Sequence, residues 1–187
     1  MNIATLVGSL RKDSYNMQLA ETMRERYRDK MNMEIVDIGG LPHFNQDQEL
    51  DPPQVVKDFK KKISAADGVV IITPEYNWSV PGVLKNAIDW ASRGEKVFIG
   101  KPAMTAGATL GMVGTVRAQL HLRDILASPG VQAKVLPPGG NEVLIAFAEQ
   151  KFDPATRRLT DETTLAFLDN VVNAFVEWIK QTQPVKL

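Results

Sequence analysis

One four-residue run constrains this chain more than any other: Val69-Val70-Ile71-Ile72. Four consecutive β-branched apolar residues leave no polar face, so the strand they form has to be covered on both sides, as at the centre of a parallel sheet. The run ends abruptly in Thr73-Pro74-Glu75-Tyr76-Asn77-Trp78-Ser79-Val80-Pro81-Gly82. From about Val83, apolar residues at helical spacing (Leu84, Ala87, Ile88 and Ala91) predict a helix lying on that sheet. A loop at the carboxyl end of a central parallel strand is where open α/β sheets hold ligands, because the connections diverge there and leave a crevice. Aromatic side chains and amide donors suit a flat heteroaromatic ring better than a phosphate or a metal. The alternative is a rigid strand-to-helix turn with Tyr76 and Trp78 as packing.

Strands and helices alternate over the rest of the chain. Strand-like runs cover residues 3–7, 33–37, 103–106 and 131–136. Amphipathic patterns run to about Arg28 (Leu19, Ala20, Met23, Tyr27), over 53–65 (Val55, Val56, Phe59, Ile63) and over 115–127 (Leu120, Leu122, Ile125, Leu126). A long final helix opens near Thr160 or Asp161 (Leu165, Leu168, Val172, Phe175, Ile179). The connection 38–53 is long; Leu41, Pro42 and Phe44 in it either border a pocket or subunit contact, or anchor a surface excursion, and His43 reads as a solvated or hydrogen-bonded loop residue. Residues 141–150 fit no single pattern, and 152–158 is turn-rich. The expectation is one α/β domain over residues 1–187, a five-stranded parallel sheet between helix layers. Periodicity does not give the strand order. With 2-1-3-4-5, the loops after the first and third strands become neighbours across one crevice.

Composition excludes several classes. The chain has 22 basic and 22 acidic residues and no large basic block, so nucleic acid is not an implied partner. With no cysteine and two separated histidines, it offers no disulfide framework, no thiolate chemistry and no usual metal cluster. No apolar stretch approaches the ~20 residues of a membrane span. The chain starts with a strand and not a leader pattern, so the cytoplasm is the expected compartment.

After the first strand, Gly8-Ser9-Leu10-Arg11-Lys12-Asp13-Ser14-Tyr15-Asn16 leads into a helix. A loop of this kind collects N–H groups and hydroxyls at the positive end of a helix dipole, where a phosphate is held. Ser9, Ser14 and Asn16 are candidate donors and Arg11 adds a charged fork. There is no G-x-G-x-x-G and no G-K-[ST], so a monophosphate is the better match; plain helix capping by Ser14 is the alternative. A third loop, Gly107-Ala108-Thr109-Leu110-Gly111-Met112-Val113-Gly114, follows the fourth strand on the same edge. Its glycines allow close approach of backbone to a ligand. His121 and Arg123, on the helix beyond, read as surface or interface residues.

Gly8-Ser9-Leu10-Arg11-x-x-Ser14-x-Asn16, followed by Thr73-Pro74-Glu75-Tyr76-Asn77-x-Ser79-x-Pro81-Gly82-x-Leu84-Lys85-Asn86-Ala87-Ile88-Asp89-Trp90, resembles the NADPH-dependent FMN reductase family, with the bacterial quinone, chromate and azo-dye reductases as nearest relatives. The resemblance spans nearly the whole chain. It implies a flavodoxin-like fold with sheet order 2-1-3-4-5, tightly bound FMN, NADPH as hydride donor, and homodimers or homotetramers. Carried over, Ser9, Arg11, Ser14, Tyr15 and Asn16 hold the FMN phosphate. Pro74, Glu75, Tyr76 and Asn77 line the isoalloxazine and its polar edge, and Gly107, Ala108 and Thr109 supply the third-loop contact, with Thr109 as the hydroxyl. The implied activity is hydride transfer from NADPH to FMN N5, then reduction of quinones, azo compounds, free flavin or oxyanions such as chromate in a ping-pong cycle. No side chain is required as acid or base, because the chemistry is the cofactor's. Arg11, Lys12 and Arg117 are candidates to attract a 2′-phosphate, but the preference for NADPH rests on the resemblance. Lys85, Asn86, Asp89 and Trp90 fit packing and assembly as well as the flavin. Two other classes compete. An electron carrier of the flavodoxin kind is disfavoured by the balanced charge, and a phospho-accepting receiver lacks its acidic cluster, since Gly8-Ser9 and Thr73-Pro74 stand there.

Overall fold

The computed structural model describes residues 1–182; the last five residues of the expected domain lie outside the described residues. Thirteen helices and strands are used below: β1 Asn2–Val7, α1 Tyr15–Arg26, β2 Asn32–Val36, α2 Gln54–Ala65, β3 Gly68–Ile72, α3 Gly82–Ala91, β4 Pro102–Ala108, α4 Val116–Ala127, β5 Lys134–Val135, β6 Val143–Ile145, β7 Phe152–Asp153, β8 Arg158–Leu159 and α5 Glu162–Thr182. The main sheet is parallel in the order β2-β1-β3-β4-β5, with β6 also paired to β4. That is the flavodoxin-like arrangement expected. β3 is fully buried along its length, as an all-apolar central strand must be.

Alternation along the strands divides the core into two layers. Ile3, Val7, Val70 and Ile72 point to α1 and α5, where Leu19, Met23, Leu168, Val172 and Phe175 meet them. Ala4, Leu6, Val69 and Ile71 point the other way, to Phe59 and Ile63 of α2, Leu84, Ile88 and Trp90 of α3, and Leu122 of α4. Each helix thus buries its apolar stripe on one face of the sheet. Among the described residues no helix is long and apolar enough to cross a membrane.

The fifth strand differs from expectation. Residues 131–136 pair with β4 only at Lys134 and Val135, opposite Pro102 and Ala103. The chain then leaves the sheet at Pro137-Pro138-Gly139-Gly140, because proline cannot donate to a ladder, and returns as β6, opposite Ala106 to Ala108. The expected strand is therefore split in two, and part of the patternless segment 141–150 is its upper half. Gln119, buried on α4, sits by the split: its Nε2 donates to the Val143 carbonyl and Thr105 Oγ1 donates to its Oε1. The turn-rich segment 152–158 lies in the short β7–β8 hairpin, which is fixed to α1 by the two-pronged Arg158–Glu25 contact and by Leu159 N–H donating to Thr22 Oγ1 at 3.1 Å.

The long connection 38–53 is anchored by α3. Asn86 Nδ2 and Trp90 Nε1 both donate to the Pro42 carbonyl, at 2.9 and 2.8 Å, while Phe44 N–H donates to Asn86 Oδ1. Phe44 packs edge-on to Trp90. Within the described residues, Asn86 and Trp90 thus serve packing.

Candidate functional site

Three loops leave the carboxyl edge of the sheet side by side: 8–14 after β1, 73–81 after β3 and 109–115 after β4. They enclose an open cleft of about 270 Å³. Every expected site residue except Asn77 and Gly107 lines it, and Leu110 joins them. A more voluminous groove, about 700 Å³, lies at the amino ends of β1 and β2 beside α2; two of its lining residues, Lys62 and Glu34, are already paired with each other.

In the first loop Ser14 caps α1, its Oγ accepting from Met17 N–H. The next two amides, of Tyr15 and Asn16, have no protein acceptor among the described residues, so the positive end of a 12-residue helix presents two open donors to the cleft. Arg11 is exposed; its guanidinium donates to the Asp13 carbonyl and lies 5.8 Å from the Tyr15 ring. Asn16 does something the sequence did not announce. Its Nδ2 donates to the Ala108 carbonyl at 3.0 Å and its Oδ1 accepts from Ala108 N–H at 2.9 Å, so the first loop is clamped to the third. Toward the cleft Asn16 adds its main-chain N–H.

The second loop is a tight hairpin in which Tyr76 and Ser79 exchange both main-chain hydrogen bonds at 3.0 Å. Its two central residues, Asn77 and Trp78, have φ of 50° and 64°, the left-handed pair that a two-residue turn of this kind requires. A tryptophan there is strained. Trp78 is 72% exposed and carries the Arg117 guanidinium 4.5 Å above its ring. The Glu75 carboxylate turns away from the cleft: Oε2 accepts from the N–H groups of Arg117 and Ala118 at 2.9 and 3.1 Å, capping α4 from outside. With Tyr76 N–H tied to Ser79, the amides of Glu75, Asn77 and Trp78 have no protein acceptor among the described residues, and of these three residues Glu75 lines the cleft.

Gly107 lies beneath the cleft. A Cβ there would collide with Thr115 Oγ1 and the Thr73 carbonyl, so the glycine lets the second and third loops close on one another. Thr109 is held by main-chain bonds to Ile145 and Ala148, and its Oγ1 accepts from Gly111 N–H. Ser79 Oγ and His121 Nδ1, 2.8 Å apart, tie the rim of the second loop to α4. Among the described residues no group of acidic and imidazole side chains could hold a metal ion.

The cleft has open amide donors at one end and aromatic and prolyl surface at the other, the polarity of a phosphorylated flat ring system. The family model for NADPH-dependent FMN reductases matches residues 1–150. The chain belongs to the NADPH-dependent FMN reductase family. It is 41% identical to a 2-hydroxy-1,4-benzoquinone reductase of a Burkholderia species, over 96% of this chain and 97% of the relative. It is 37% identical to a quinone reductase of Escherichia coli, over 98% and 97%. Among solved structures, FerB of Paracoccus denitrificans, a flavoenzyme NAD(P)H:(acceptor) oxidoreductase, superposes with a TM-score of 0.87 at 38% identity, covering 97% of this chain and 98% of FerB. FMN and NAD(P)H are the cofactors that membership in this family of oxidoreductases carries.

Asn16 and Glu75 act here across 92 and 42 residues of sequence, and no local pattern signals either contact. Replacing Glu75 by alanine is expected to remove the cap of α4, including its charge, at a cost of about 1–2 kcal/mol. Calorimetry checks this, with Glu75→Gln, which keeps an oxygen in place, losing less.

Proposed function

We propose that the protein is an FMN-dependent NAD(P)H oxidoreductase that holds FMN in the carboxyl-edge cleft and reduces quinones, with azo compounds, free flavin and oxyanions such as chromate as further acceptors. The observation that carries this is the single cleft joining the open amides of α1 to Pro74, Glu75 and Tyr76. The residues fit the group. The N–H groups of Tyr15 and Asn16, the Ser9 and Ser14 hydroxyls and the charge of Arg11 receive the phosphate dianion. Pro74 and Tyr76 offer apolar surface to the ring, Thr109 and Ala108 close the opposite wall, and the Glu75 amide serves its polar edge, with Asn77 two residues on in the same loop.

Bound there, the flavin supplies hydride acceptance from NADPH and electron donation to the oxidant. The protein's residues orient the ring and leave one face open, so that donor and acceptor use the same place in turn and the kinetics are ping-pong. Main-chain donors on the Glu75–Asn77 wall favour the charge that accumulates on reduction, because they are already fixed before the reaction. No side chain is required as acid or base, because the chemistry is the cofactor's. Tyr76, Trp78, Leu110 and Met112 form an exposed apolar rim, at 50, 72, 56 and 76%, that suits burial in a homodimer or homotetramer. The carrier reading, a flavodoxin-type protein without its own NAD(P)H activity, is opposed by the net charge of zero.

Purification decides between them. A yellow protein bleached anaerobically by NADPH and restored by a quinone is the expected result. Reduction only by a partner protein would favour the carrier, and a colourless chain that FMN cannot reconstitute would overturn both. Arg11→Ala is expected to weaken FMN about tenfold, on the scale of one charge-assisted hydrogen bond. Riboflavin affinity, lacking the phosphate, should stay within twofold in the same titration.

A further inference from the structure

A second hollow opens beside the flavin cleft. It measures about 170 Å³ and lies between the carboxyl ends of β1 and β2, with Ser9, Leu10, Met17, Ile35, Asp37 and Ile38 in its lining. Ser9 lines the flavin cleft as well, so the two hollows adjoin at the proposed phosphate position. The space corresponds to five or six waters at about 30 Å³ each, enough for a five-carbon sugar.

Its walls are apolar apart from Ser9 and Asp37. Asp37 follows the last residue of the edge strand β2, one step beyond the Leu6–Val36 pairing. Its Oδ1 accepts from Gly39 N–H at 2.8 Å, while Oδ2 makes no hydrogen bond among the described residues. Gly39 and Gly40 keep the approach clear: a Cβ on Gly40 would stand 3.3 Å from Oδ2. An exposed carboxylate at the end of the strand next to a phosphate-binding loop is well placed to accept both hydroxyls of a ribose, and it repels a 2′-phosphate.

We propose that this hollow is a subsite for the adenosine ribose of a dinucleotide, with Asp37 accepting from its 2′- and 3′-hydroxyls. The proposal rests on the flavin reading of the neighbouring cleft. Two ligands bring that sugar: FAD, whose second phosphate and adenosine extend past Ser9 from the phosphate position, and NADH, arriving as hydride donor. In either case the unphosphorylated ribose is preferred, so Asp37 selects NADH over NADPH if the donor is the occupant.

The test compares wild type with Asp37→Asn, which keeps the oxygen facing Gly39 N–H and removes the charge. Apoprotein is titrated with FMN and with FAD, and kcat/KM is measured for NADH and NADPH. If FAD is the occupant, FAD affinity falls about tenfold in the variant while FMN affinity stays within twofold. If the donor is the occupant, flavin affinities are unchanged and the NADH-to-NADPH ratio of kcat/KM falls about tenfold. A properly folded variant that binds FMN normally and moves neither quantity overturns the subsite and leaves the flavin reading intact. A wild-type chain that binds no flavin overturns both.

Discussion

Gly107→Ala is expected to lose about 3 kcal/mol of stability and lower Tm by about 6–12 °C. The reason is local and steric. The new Cβ would lie inside the contact distances of Thr115 Oγ1 and the Thr73 carbonyl, both buried, and the backbone atom cannot swing aside as a side chain could. Thr115 itself is fixed in the left-handed region at φ 67° where α4 begins, so relief would require the start of that helix to move. Gly139→Ala is the control: a Cβ there meets nothing within 4 Å, and its Tm should change by less than about 1 °C. Differential calorimetry of the two variants checks the claim, and equal transitions would refute it.

Asn16→Ala is expected to cost about 2–4 kcal/mol, because it strands the N–H and the carbonyl of Ala108, which is 3% exposed, without their partners. The energetic loss is accompanied by a functional one. With the clamp gone, the third loop is no longer held at a fixed distance from the start of α1, and FMN affinity should fall at least tenfold. Asn16→Asp should fare no better, since a carboxylate would face the Ala108 carbonyl across the contact. Hydrogen exchange at the Ala108 amide gives a direct reading: slow in the native protein and fast in Asn16→Ala, which offers that amide no acceptor, while Asn16→Asp keeps an acceptor for it and strands only the carbonyl.

The sequence carried the sheet because its strands are concentrated apolar runs and its helices are cleanly amphipathic. Val69 to Ile72 could hardly lie anywhere but the centre, and β3 is buried throughout. The split of the outer strand was less legible. Pro137-Pro138 announces a break, but Val143-Leu144-Ile145 is too short for periodicity to show that the chain rejoins the same neighbour. The two-residue strands of the β7–β8 hairpin are shorter still.

The cleft was legible for a different reason, since each of its loops follows a strand and carries turn chemistry of its own. What local sequence withheld was the use of particular side chains. Asn16 looked like a phosphate donor because amides donate; only the fold reveals a peptide 92 positions away for it to pair with. Glu75 looked like a polar neighbour of a ring, and its oxygen instead closes the exposed amides at the start of α4. Asp37 carries no local signal either, standing at the end of an expected strand whose relation to the first loop depends on strand order.

The broken outer strand also bears on how the protein behaves when concentrated. A long straight margin of unpaired amides is a template on which further chains can stack, and here that margin is two residues, a proline-rich detour, and three residues more. The opposite margin, β2, carries the exposed side chains of Asn32 and Glu34. Neither border offers an intruding strand an apolar, uninterrupted run, which protects against fibrillar growth.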